Sequence, residues 1–223
     1  SKGNPFLMPS ITHNVTFAAS YQWINLYVGY SHRLDDMIQH TVAYSDDDPT
    51  IAMFSILNGT AYDRLVASIN ISPTIGCWTP QLGLAIQKQW FEGETPQGKE
   101  NFHKPMATVT FRNNFKLPKG ILLDVNGSWN TKGYSRNVYL EEHILDMNAS
   151  LYKSFLKDNL SVRLRASNIF EPKQVATIFS GIRVMRNTLF SHRQFTFTLQ
   201  YKFNSTKSKY KGTGAGESQK SRM

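Results

Sequence analysis

The chain has 223 residues, 40% of them hydrophobic, a formal net charge of +9 and one cysteine. That length fits a single all-β domain or one to two ordinary domains. Lone Cys77 excludes an intrachain disulfide framework and any CxxC metal or redox motif. No stretch approaches the roughly 18 apolar residues of a membrane helix, and Ile121–Leu123 is typical of the longest apolar runs.

The apolar residues nevertheless recur, with a period of two rather than 3.6. The first expected strand is His13–Tyr21, with Val15, Phe17, Ala19 and Tyr21 on one face. Successive strand side chains point to opposite faces, so such a segment has one oily side and one wet side. The second strand begins at Ile24 and places Ile24, Leu26, Val28 and Tyr30 on the oily side, with Asn25, Gly29, Ser31 and Arg33 opposite. It is expected to run on toward Tyr44, ahead of the break at Asp46-Asp47-Asp48-Pro49. The third returns from Ile51 with a bulge expected at Asn58-Gly59. Its clean part sets Leu65, Ala67, Ile69 and Ile71 against Val66, Ser68, Asn70 and Ser72. The fourth is Trp78–Phe91, followed by a polar loop, Glu92–Pro105.

Met106–Leu117 is the fifth strand, and Pro118-Lys119-Gly120 turns it tightly into the sixth, Ile121–Trp129. A long loop, Asn130–His143, precedes the seventh, Ile144–Phe155. The eighth runs from Leu160 to Ser167, and Glu171–Arg193 has room for two extended arms joined at Gly181. The ninth reads Phe195, Thr196, Phe197, Thr198, Leu199, Gln200, Tyr201, Lys202, Phe203, alternating without exception.

Nine such strands with little between them predict an all-β fold, an antiparallel up-and-down transmembrane β-barrel with lipid outside and water inside. Short links (Gln22-Trp23, Pro73–Cys77, Pro118–Gly120, Leu156–Asn159) alternate with long ones (Ser45–Pro49, Glu92–Pro105, Asn130–His143, Glu171–Arg193). In bacterial outer-membrane barrels the short side is periplasmic, so the first and ninth strands both run toward the periplasm. Residues 1–203 are read as barrel and 204–223 as a polar, basic periplasmic tail. Much of the positive charge lies in that tail, at turns or on the wet face, which argues against nucleic acid as a partner.

Aromatic residues gather at the strand ends, as amphipathic rings do at a membrane–water interface. Trp23, Trp78, Trp90, Trp129, Tyr201 and Phe203 are the expected girdle, with Tyr21, Phe115 and Phe155 on the short-turn side and Phe91, Tyr134, Phe170 and Phe190 on the loop side. The candidate lumen-facing residues are Asn25, Arg33, Arg112, Asp124, Asn126, Asp146, Asn148, Arg163 and Arg165. Taken singly, each is an ordinary solvated wall residue. Taken together, Arg163 and Arg165 make the wall basic. Lys88 and Lys153 fall in the oily register, close to strand ends where snorkelling relieves the cost. The sequence holds no GxSxG, HExxH, P-loop or GxGxxG pattern, so no catalytic residue, metal ligand or cofactor is expected. Histidines are scattered. His40 near Asp46–Asp48 is the one cation site worth considering, against a solvated acidic turn.

Short motifs resemble a known family. Gly3-Asn4-Pro5-Phe6-Leu7-Met8-Pro9 resembles a GNP-x-L-x-P segment of TonB-dependent receptor barrels. Phe115–Gly120 is similar to their LPKG periplasmic turn. Lys157–Val162 with Asn168-Ile169-Phe170 is similar to their penultimate strand, and Phe197–Phe203 to their closing strand. The tail, Ser208–Lys211 through Gly212–Glu217, also resembles those of this outer-membrane β-barrel group. The resemblance spans essentially the whole chain. It implies the C-terminal section of a plugged, many-stranded barrel in the cell outer membrane that takes part in nutrient uptake. The implied partners are outer-membrane lipid, a plug domain and further strands of the same protein, TonB through that part, and an unknown solute. Nine strands also depart from the even count of single-chain bacterial barrels, which fits a section of something larger. Two alternatives stand beside it: a complete small barrel with a structural or adhesive role, and a soluble β-sandwich whose oily faces form a core.

Overall fold

The computed structural model describes residues 4–44 and 51–203. The expected tail, 204–223, and the acidic turn at Asp46–Asp48 lie outside the described residues. In chain order, β1 (Ile11–Tyr21) and β2 (Ile24–Leu34) form the first hairpin, and β3 (Met37–Ala43) and β4 (Ala52–Asn58) extend beyond it. β5 (Tyr62–Ile71) and β6 (Trp78–Trp90) follow, then the small hairpin β7 (Glu92–Thr95) and β8 (Gly98–Asn101). β9 (Met106–Leu117) and β10 (Ile121–Asn130) lead into β11 (Gly133–Ser135) and β12 (Val138–Leu140). β13 (Ile144–Phe155), β14 (Leu160–Ser167), β15 (Lys173–Ser180), β16 (Arg183–Phe190) and β17 (Gln194–Tyr201) complete the chain.

Nine of these strands make one sheet in the order β1-β2-β5-β6-β9-β10-β13-β14-β17. Each consecutive pair is antiparallel, so the nine expected strands form a simple meander. The register sets oily residues beside oily residues across the whole sheet. One cross-strand row reads Ala19, Leu26, Ile69, Leu84, Val109, Trp129 and Leu145. Because strand side chains alternate strictly, a slip of one residue anywhere would turn a strand's oily set to the wrong face.

The sheet is open: β1 and β17 are its two edges and do not pair with each other. Among the described residues no second protein layer covers its oily face. Leu164 is 50% exposed and Leu199 60%, and Val125 is half-buried. A sandwich would seal these residues, so that alternative is set aside. The four short links close one side. Left-handed backbone at Gln22, at Lys119 and at Leu156, Lys157 and Asp158 gives the tight reversals there.

Several expectations at the other side need correcting. β2 does not continue to Tyr44; it stops at Leu34, and left-handed Asp35 redirects the chain into the separate β3–β4 ribbon. Asn58-Gly59 is no bulge but the end of β4 and the passage into β5. Glu92–Pro105 is no plain polar loop, since it folds as β7–β8 and buries Phe102 to 1% exposure. The expected arms at Gly181 are present as β15 and β16 and join β11 and β12 in a four-stranded sheet. Phe91 and Tyr134 belong to no interfacial belt: they pack with Tyr62, Phe102, Phe179 and Ile38 in a closed cluster.

Candidate functional site

The wet face of the meander is built by the same alternation that exposes the oily one. Every expected lumen residue lies in this polar register, and the strand pairing decides which of them meet. Arg112, Asn126 and Asn148 stand side by side on β9, β10 and β13. One step nearer the short turns, Asp124, Ser150 and Arg165 form a second row, where Ser150 Oγ donates to Asp124 Oδ2 at 3.1 Å. Asn148 Nδ2 donates to Asp146 Oδ2 at 3.1 Å, while the Asp146 Oδ1 is buried without a partner among the described residues. The Arg163 guanidinium sits 5.2 Å from the Tyr152 ring centroid. Two residues stay apart from this group. Asn25 lies toward the other edge, accepting from Ser20 Oγ at 2.8 Å. Arg33 is at the loop end, donating to Thr12 Oγ1 and to Asp36 Oδ1, each at 3.1 Å.

Arg112, Lys116, Arg163 and Arg165 all lie in the polar register, and none takes part in an ion pair among the described residues. Asp124 and Asp146 are the carboxylates nearest them by register. The wall's short-turn half therefore presents more free positive than negative charge.

A cap of loop strands stands at the opposite end, and its key residues escaped sequence reasoning. Arg136 occupies the left-handed turn between β11 and β12. Its backbone N–H donates to Gln89 Oε1 at 2.7 Å, and Gln89 Nε2 donates back to the Arg136 carbonyl at 2.8 Å and to the Phe102 carbonyl at 2.7 Å. The Arg136 guanidinium pairs with Asp36, which is 3% exposed and also bound by Arg33. A second junction joins the Gly181 turn to β3. There Ser180 Oγ and Thr41 Oγ1 are 3.0 Å apart and Ile182 N–H donates to the Thr41 carbonyl at 3.2 Å. Gly181 has φ +60°, and a Cβ there would lie 2.5 Å from His40 Nε2, so glycine is required twice over. His40 itself faces Glu94, 3.1 Å away.

On the outer edge of the cap, the Glu141 carboxylate accepts from Thr177 Oγ1 and is gripped by Arg186 through Nε at 3.0 Å and Nη2 at 2.6 Å. The Thr177 hydroxyl first, and then Arg186, hold this carboxyl below the ordinary glutamate range. Burial pushes the Tyr134 hydroxyl up. These partners lie tens of residues apart in the chain. The signals present in the sequence were only a Gln on the wet side beside Trp90-Phe91 and an Arg inside a long polar loop.

The oily register also accounts for its own exceptions. Lys88 Nζ lies 5.1 Å from the Trp90 ring centroid, and Lys153 Nζ lies 4.8 Å from that of Phe155. Each cation therefore rests on an aromatic ring at a strand end. Asn113, also in this register, accepts from Trp78 Nε1 at 3.0 Å. Trp78, Trp90, Trp129 and Tyr201 lie in the oily register near strand ends, with Trp23 in the first turn and Phe203 just past β17.

A family model for the outer membrane protein beta-barrel family matches residues 1–201. The chain belongs to this family. It is an outer-membrane protein, and its oily face is the one that meets lipid. No curated protein and no solved structure matches the chain. The open antiparallel meander is consistent with a partial barrel wall.

Proposed function

We propose that this outer-membrane barrel wall is the C-terminal section of a TonB-dependent-receptor-like transporter that takes part in solute uptake. One observation carries the reading: β1 and β17 are long, free edges that run in the same direction. Closing this meander on itself would need a parallel pair, whereas bacterial single-chain barrels are antiparallel with even strand counts. Unpaired edges of this length are an aggregation hazard unless other strands cover them. Further strands of the same protein satisfy both edges, and a larger lumen leaves room for a plug against the free polar wall. In this reading Asn25, Arg112, Asp124, Asn126, Asp146, Asn148, Arg163 and Arg165 face plug, water or solute. Arg33 braces the mouth, the loop cap meets the outside, and TonB acts through the plug. No catalytic step is assigned to any residue.

The test is the structure of the complete protein in lipid nanodiscs, together with uptake measured in energised cells. The reading expects β1 and β17 each hydrogen-bonded to a further strand, a domain inside the lumen, and uptake abolished by a protonophore. A direct β1–β17 pair closing a nine-stranded barrel would favour the alternative, a small structural or adhesive barrel.

A further inference from the structure

On the polar face near the short turns, the wall has a hollow of about 320 Å³. Asn70, Ser72, Gln81, Thr110 and Arg112 form its polar lining, around Gly83. Its floor is Gly83, directly opposite Asn70 on β5 and Thr110 on β9. A Cβ on Gly83 would lie 2.5 Å from Thr110 Oγ1 and 2.8 Å from Asn70 Oδ1, so the missing side chain makes the space and both neighbours overhang it. Gln81 and Arg112 face each other one step nearer the turn.

Several polar wall residues pair with a neighbour: Ser20 with Asn25, Arg64 with Gln87, Thr108 with Asn130, Ser150 with Asp124. Those around the hollow do not. Among the described residues Asn70, Gln81, Thr110 and Arg112 have no side-chain partner, and no carboxylate lines the space. Every one of these four side chains can donate a hydrogen bond, and a carboxylate accepts only, at about four lone-pair positions. Arg112 supplies the planar, bidentate donor that a carboxylate matches best. A single cation suits a singly charged group better than a phosphate.

We propose that the Gly83 hollow binds a carboxylate, with Arg112 as the charged anchor, Gln81 and Thr110 as further donors, and Asn70 joining them by turning its amide to present Nδ2 in place of Oδ1. The proposal rests on the polar face being the lumen. The carboxylate then comes either from a passing solute or from an acidic side chain of a segment seated inside the barrel. A volume of about 320 Å³ is at the small end of ligand sites and admits a short dicarboxylic acid or one acidic side chain.

The experiment uses the complete protein in detergent, with succinate and its neutral diamide as probes in calorimetric titration. Wild type, Arg112→Gln, Gly83→Val and a control, Arg183→Gln on the exposed β16, are compared for binding and for melting temperature. If the source is a solute, succinate binds at least tenfold more tightly than the diamide, and Arg112→Gln and Gly83→Val abolish that preference while the control keeps it. If it is a seated segment, succinate does not bind, and Arg112→Gln and Gly83→Val each lower the melting temperature by several degrees while the control does not. Equal binding of the two probes, tighter binding of inorganic phosphate, or no response of either readout to the two site variants overturns the proposal. A separate variant, Thr79→Cys in a Cys77→Ser background, is treated with a water-soluble, membrane-impermeant maleimide. Labelling without carboxylate selectivity removes the hollow's role and leaves the lumen standing. Absence of labelling, with a lipid-soluble maleimide reacting instead, removes the lumen reading itself.

Discussion

The strand wall and the loop cap solve the same problem in opposite ways. In the cap, aromatic residues bury one another: Phe102 is 1% exposed, Phe91 3%, and the Phe102 ring stacks 5.0 Å from those of Tyr134 and Phe179. In the wall, residues of the same chemistry stay open, Phe195 at 78% and Phe197 at 64%. The cap is folded as a water-soluble domain is, around a core it makes itself. The wall keeps its strands by hydrogen bonding and leaves the burial of its oily face to acyl chains. Residue chemistry is therefore a poor guide to burial in this molecule until the medium is known. The polar residues obey the same division. Asp36 and Gln89, where the wall meets the cap, are buried and multiply bonded, whereas Arg112 and Arg165 on the open wall are exposed and unpaired.

The contrast can be broken most severely at Phe102. Truncating a buried phenylalanine costs about 3–5 kcal/mol. Phe102→Ala is expected to expose the cap to protease while leaving the membrane-embedded wall intact, read from the cleavage pattern and from heat-dependent gel mobility of the same sample. Collapse of the wall as well would mean that the two regions fold as one unit. The second test lies on the oily face, where a cation at the bilayer midplane costs about 2–4 kcal/mol. Leu164→Arg is expected to lower the midpoint of reversible unfolding from lipid vesicles, whereas Gln200→Arg, on the polar face opposite Ser161, leaves it nearly unchanged. Equal effects of the two changes would contradict a lipid-facing register.

The junction between the two regions is sharpened by Arg136→Met. Hydrogen bonds to charged groups contribute about 1.5–3 kcal/mol, and Asp36 keeps Arg33 after the change. Hydrogen exchange should accelerate in β11 and β12 and stay slow in β9 and β10. The smallest effect is expected at Glu141, a half-buried carboxylate. Its folded pKa is depressed, so its contribution is fully present above the ordinary glutamate value and is lost as pH falls through the lower, folded one. Acidification through that window should loosen the β12–β15 pairing at the rim, seen as faster exchange there, and Glu141→Gln should remove the dependence.

Much of the wall was legible before any coordinates. From Val15 to Tyr201 the period-two pattern located all nine strands, and their faces follow from parity alone. Little of the cap was legible. The loops at Glu92–Pro105 and Asn130–His143 read as polar because their charged residues outnumber a few aromatics, yet Phe102 and Tyr134 are what those loops are built around. Asp36 and Arg136 are a hundred residues apart, and nothing local to either announces the other. Lys88 and Lys153 were legible as exceptions, but the rings that hold them became visible only in three dimensions.

From the chain alone came the all-β class, the strand order and the division between an oily and a wet face. These depend on side-chain alternation, a property of each strand and its immediate neighbours. Tertiary structure decided the rest: the open edges, the ring-packed cap with its Arg136–Asp36 contact, and the free donors over Gly83. Each of these depends on which distant segments lie side by side, and no one-dimensional pattern records such neighbours.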